Sequence, residues 1–154
     1  IELFRRHGVF TNRELLTRME IAQENYKKTI VIEARTTADM AKKQIYPAVS
    51  AYIADLCGIA DGKAAYGADV SADKELISRL SAGNAAMYAA VEELVGAIRE
   101  EEGLTLAEEC AKFCAYRILP LMEKVRGLAD GLEKDTAKDY WPMPTYSDIL
   151  FSVE

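Results

Sequence analysis

An all-α fold is predicted, namely an antiparallel bundle of three long helices with a short helical segment before it and an extended tail carrying Trp and Pro after it. Three features of the sequence predict it. Apolar residues recur at steps of three and four through three long stretches. Thr-x-x-Glu boxes open two of those stretches, at Thr11–Glu14 and Thr105–Glu108. Helix breakers are scarce, with 9 Gly and 4 Pro in 154 residues, and no alternating strand pattern competes.

At the start of the chain, residues 2–7 read as the end of a helix stopped at Gly8, as though the chain were a piece of a longer protein. The Thr11–Glu14 box then starts a helix near Asn12. Its apolar positions run through Leu15, Met19, Ala22, Tyr26, Ile30, Ala34, Ala38, Ala41, Ile45, Val49, Tyr52 and Leu56, with no turn signal before Gly58. That spacing implies a rod of roughly 45 residues, ~68 Å long. Pro47 lies inside it and removes a backbone hydrogen bond, so a bend or break is expected there.

Gly58, Gly62 and Gly67 fall in a stretch without apolar periodicity, read as a loop over 58–71, with Ser71 or Asp73 capping the second helix. Leu76, Leu80, Gly83, Met87, Ala90, Leu94 and Ala97 mark that helix, which ends at Gly103. Ala107, Ala111, Cys114, Ile118, Leu121, Val125, Leu128 and Leu132 mark a third, kinked at Pro120. The whole is read as one helical domain: 1–10 a link, 11–138 the bundle and 139–154 a tail.

The lengths do not match. The second and third helices supply only ~31 and ~33 residues, which leaves roughly 20 Å of the first uncovered at its N-terminal end. Leu16, Met19, Tyr26 and Ile30 lie on that end, and such a stripe is expected to dock against another domain or subunit. In the tail, Trp141, Tyr146 and Phe151 surround prolines that force extended backbone, and they are expected to pack back on the bundle as an anchor.

Composition narrows the class of partner. The chain carries 19 basic and 25 acidic residues, a net charge of −6, which is the wrong sign for gripping a nucleic acid backbone. Its longest apolar run, Ala85 to Val91, is far shorter than the ~20 residues of a bilayer span, so no membrane is expected. Three cysteines, an odd and sparse number, fit a reducing cytoplasm.

Candidate chemistry is thin. Cys110 and Cys114 sit one turn apart, but no second pair or neighbouring His completes a metal set, so they read as core residues. His7 is the only histidine and has no triad around it. Glu100, Glu101 and Glu102 crowd a helix C-terminus and read as a solvated end. Arg35 and Arg117 lie near the apolar stripes, where an all-helical enzyme would place guanidinium groups to grip a dicarboxylate, although rim ion pairs account for them more simply. With no phosphate loop, GxSxG or CxxC, no catalytic, cofactor or metal residue is assigned. A regulatory module using the 58–71 loop and a small helical-bundle enzyme are the alternative readings.

Two segments carry a resemblance. Residues 25–52, NYKKTIVIEARTTADMAKKQIYPAVSAY, and residues 138–153, KDYWPMPTYSDILFSV, resemble the C-terminal region of type III glutamine synthetases. In that family the two segments bracket a helical region of about this size, so the resemblance spans nearly all of the chain. It implies a cytoplasmic parent enzyme that joins ammonia to glutamate at the expense of ATP, with a divalent metal, Mg or Mn, assembled as two stacked six-membered rings. The catalytic regions would lie upstream, and this chain would contact them and neighbouring subunits of a homo-oligomer as a non-catalytic packing domain.

Overall fold

The structure is a computed structural model in which residues 2–144 and 146–151 are described, the side chains of Glu2, Arg5, Tyr146 and Ser147 excepted. Every regular element among them is helical, as the periodicity requires. A short α1 (Glu2–Arg6) ends at Gly8, whose φ of +64° is the left-handed conformation that glycine adopts without strain. The first rod then runs as α2 (Asn12–Met40), a π-helical turn (Ala41–Ile45) and α3 (Tyr46–Ala65). The second rod is α4 (Ser71–Glu102). The third is α5 (Ala107–Phe113), a second π-helical turn (Cys114–Ile118) and α6 (Leu119–Asp135), and the tail carries α7 (Tyr146–Phe151).

The start of the first rod is set locally. The Thr11 hydroxyl accepts the Glu14 backbone N–H at 3.2 Å, and the Glu14 carboxylate accepts the Thr11 backbone N–H at 2.8 Å. That backbone bond foremost, and the Thr11 hydroxyl donating to the same carboxylate at 2.7 Å, hold the Glu14 carboxyl below its ordinary range.

Both internal prolines are met in one way. Pro47 and Pro120 are each the second residue after a π turn, which is closed by the N–H of Tyr46 reaching back to the Ala41 carbonyl and that of Leu119 to Cys114. The proline ring has no N–H and collides with the carbonyl four residues earlier. An extra residue in the preceding turn displaces that carbonyl, so the rod stays helical through each proline and does not break there.

Ion pairs show how the rods lie. Lys63 meets Asp73 at 2.8 Å near one end, and Arg35 meets Glu102 at 2.7 Å near the other, so α4 runs back along the first rod. Lys124 meets Glu93 at 2.8 Å and Arg79 meets Asp135 at 2.6 Å, so α6 returns along α4. Between the rods lie Ala34, Val49, Leu80, Met87, Leu94, Cys114, Ile118 and Val125, all buried. At ~1.5–3 kcal/mol for each large side chain, this burial outweighs the contribution of the exposed ion pairs.

Three local expectations are corrected. The first rod does not stop at Gly58: Gly58 and Gly62 are helical, and the chain turns only at Gly67, with φ +70°. A helical glycine costs about 1 kcal/mol, and continuing the helix past Gly58 buries Ala60. Second, α4 is not capped by Ser71 or Asp73. Instead the Asp69 carboxylate accepts the Ser71 backbone N–H at 2.9 Å, and the bonds from Ser71 hold its carboxyl below the ordinary range. Third, the Thr105–Glu108 box does not form. Leu106 stands at that cap position, and Glu108 pairs with Lys112 at 2.6 Å one turn on.

The tail turns after Ala137, with the Tyr140 and Trp141 N–H groups bonded to Ala137 and Lys138 carbonyls. Tyr140 stacks on Tyr52 at 5.0 Å between centroids and donates its hydroxyl to Asp55. Trp141 and Met143 pack against the core. Phe151 does not share that role, being 77% exposed, and the side chain of Tyr146 lies outside the described residues. On α7 Ile149, Leu150 and Phe151 are exposed, and Lys138 holds Asp148 at 2.6 Å.

Candidate functional site

On the first rod the buried stripe begins at Ile30 and continues through Ala34, Ala38, Ala41 and Ile45. Residues 12–29 carry no buried side chain, which leaves roughly 27 Å of helix standing clear of the core. The stripe itself does not stop there. Leu16, Met19 and Tyr26 occupy the same helical face and are 51%, 49% and 38% exposed.

Ile30 does not belong to this exposed set. It is 8% exposed, because α5 packs alongside α2 and the third rod starts high enough to cover it. The same start makes one wall of a cleft of about 390 Å³, with Leu16, Met19 and Gln23 on one side and Leu106, Ala107 and Glu109 on the other.

At the root of the free segment lies a charge pair that sequence reasoning missed. Glu101 is 1% exposed, and its Oε1 lies 2.8 Å from Nζ of Lys27. The ammonium is off the line of a well-formed hydrogen bond, so the contact is chiefly one of charge. The bond with Glu101 nevertheless raises the Lys27 pKa, against partial burial that lowers it. Breaking a buried pair of this kind by removing one partner costs about 3–5 kcal/mol, since the other charge is left without compensation. A signal was present in the sequence, because Lys27 falls on the apolar stripe three residues before Ile30 and the second rod ends in three glutamates.

Both core cysteines close the same pocket of packing. The Cys110 thiol donates to the Leu104 carbonyl at 3.6 Å, and Lys27 Nζ is 3.9 Å from its sulfur. Burial raises the Cys110 pKa and pushes Cys114 up to about 11, so both are neutral, inert thiols at physiological pH.

The other chemical candidates do not converge. Glu100 and Glu102 are solvated as expected, whereas Glu101 is not. Arg35 is an exposed partner of Glu102, and Arg117 is exposed on the third rod beside Glu93. His7 is exposed near the N-terminus. An apolar groove of about 360 Å³ between the first and third rods, bordered by Met40, Met122 and Met143, has only Thr37, Glu123 and Arg126 as polar neighbours. Among the described residues no three His, Cys, Asp or Glu side chains come together as metal ligands would. Nor is any helix among them long and apolar enough to cross a membrane.

Such an arrangement defines an all-helical domain with one core, in which a length of the first rod keeps its apolar face unburied. Residues 1–63 match the family described as the glutamine synthetase C-terminal domain. A glutamine synthetase from Butyrivibrio fibrisolvens is 35% identical, across 99% of this chain and 22% of that protein. One from Bacteroides fragilis is 29% identical, across 94% and 21% respectively. A type-3 glutamine synthetase from Dictyostelium discoideum is 27% identical, across 98% and 21%. The chain thus spans about a fifth of the length of the curated relatives it matches. These matches identify it as a glutamine synthetase C-terminal domain, from a protein of the glutamine synthetase family.

Proposed function

We propose that the chain is the non-catalytic helical C-terminal domain of a type III glutamine synthetase. In this reading its rods form an antiparallel three-helix bundle, and its uncovered first rod packs on the catalytic part of the same polypeptide or on a neighbouring subunit of a homo-oligomer. The parent enzyme would ligate ammonia to glutamate in the cytoplasm using ATP and Mg or Mn, all of them bound outside this chain.

One observation carries the reading: the face that is buried from Ile30 onward continues uncovered over Leu16, Met19 and Tyr26. An apolar stripe continuous with a core is the usual mark of a surface covered in an assembly. Neither alternative gains support. The loop invoked for a regulatory module is mostly helix, and the two arginines invoked for a pocket are exposed and separately placed.

The test is the pair Leu16→Glu and Met19→Glu, made both in the 154-residue chain and in the parent polypeptide. Both positions are already half exposed, so the chain alone is expected to keep its melting temperature. The parent is expected to lose assembly in sedimentation, because two carboxylates would be desolvated on docking. A parent that both assembles normally and keeps its melting temperature with the two changes would overturn the reading.

A further inference from the structure

Residues 12–29 form a lever. Over roughly 27 Å, a rotation of about 10° at the root moves the tip by ~5 Å, enough to take Leu16 and Met19 off any surface shaped to receive them. What fixes that angle is therefore decisive for a docking rod. Ile30 and Val31 seal the root, and α5 flanks the rod across the cleft at Leu16, Met19 and Gln23, both by packing that has little directionality. Arg35 and Glu102 also meet there, but both are more than half exposed.

The Lys27–Glu101 contact differs in kind. The carboxylate is buried, its cationic partner comes from another rod at 2.8 Å, and the third rod closes over both through Cys110. Rotating or sliding the first rod beyond the reach of the lysine stem separates the charges and strands Glu101 in the core, so the pair favours the orientations that keep Nζ beside the carboxylate. We propose that the Lys27–Glu101 pair is the positioning lock of the free rod, holding Leu16, Met19 and Tyr26 at the angle at which they dock. The purpose of the lock rests on the docking reading; the lock itself does not.

Its test uses the 154-residue chain alone, with spin labels at Arg13→Cys and Tyr116→Cys in a Cys57→Ser background, read as a distance distribution between rod tip and third rod. The starting chain is expected to give one narrow distribution. Lys27→Met alone is expected to melt at lower temperature, with the carboxylate stranded. The double variant Lys27→Met with Glu101→Leu removes both charges and keeps the volume filled, so its melting temperature is expected to recover. Its distribution is nevertheless expected to broaden by ~5 Å, the displacement that about 10° of freedom gives over the lever. A double variant as narrow as the starting chain would overturn the lock, because apolar packing would then suffice. The labels report on the free chain, so that result would leave the docking reading standing, and failure of docking would leave the lock standing.

Discussion

The side-chain amide of Asn84 donates to the backbone carbonyl of Tyr46 at 3.2 Å, one residue before the proline that interrupts the first rod. The same amide nitrogen lies 3.1 Å from the Ser50 hydroxyl, which itself donates to that carbonyl at 2.8 Å. A buried polar residue of the second rod thus grips the first where its own ladder is altered. Asn84→Leu fills the same space without the donor and is expected to lose about 1–2 kcal/mol in urea unfolding, less than Asn84→Ala, which adds a cavity. Equal stability of Asn84→Leu and the starting chain would show that the grip contributes nothing.

The cap at Thr11 makes the free rod acid-sensitive. The Glu14 pKa is lowered in the folded chain, so its contribution is present above the ordinary glutamate value and is lost as pH falls through the lowered one. Amide exchange at residues 12–18 is expected to accelerate on acidification relative to the core. In Glu14→Gln, which has no carboxyl to titrate, that excess acid sensitivity is expected to vanish, and its persistence would place the sensitivity elsewhere.

Two glycines of the second rod separate propensity from packing. A Cβ at Gly96 meets nothing within 4 Å, so Gly96→Ala is expected to stabilise by about 0.5–1 kcal/mol. A Cβ at Gly83 would lie 3.0 Å from Cδ2 of Leu132, a buried side chain with little room to yield. Gly83→Ala is expected to forfeit the gain, and Gly83→Val to cost about 1–3 kcal/mol. Thermal melts of the three variants in that order check the close approach of the second and third rods.

The tail is tied by a phenol. Tyr140 donates to Asp55, and that bond raises its pKa above the ordinary tyrosine value. The bond's contribution is complete below the ordinary value and is lost as pH rises through the raised one. Trp141 fluorescence is expected to report release of the tail only in alkali beyond the usual tyrosine range. Tyr140→Phe is expected to remove that alkaline step, and its persistence would place the step elsewhere.

Much of the fold is written locally in the sequence, where neighbours a few residues apart decide the outcome. The Thr11–Glu14 box, the stop at Gly8 and the apolar stripe ending at Leu132 are of this kind, and so is the disturbance before each proline, though not its π-helical form. Signals as local as these failed where another contact outweighed them. The helix runs through Gly58 with Ala60 buried beyond it, and Glu108 pairs with Lys112, a second local partner, in place of Thr105.

The sequence by itself determined that the first rod outruns its companions, since helix length and stripe are read from spacing alone. Only the tertiary structure decided where the cover stops, between Tyr26 and Ile30, and that Glu101 lies inside against Lys27. Periodicity assigns a residue to a face of its own helix but carries no term for the axial offset between helices. Partners 74 positions apart therefore meet only once the core has set that offset.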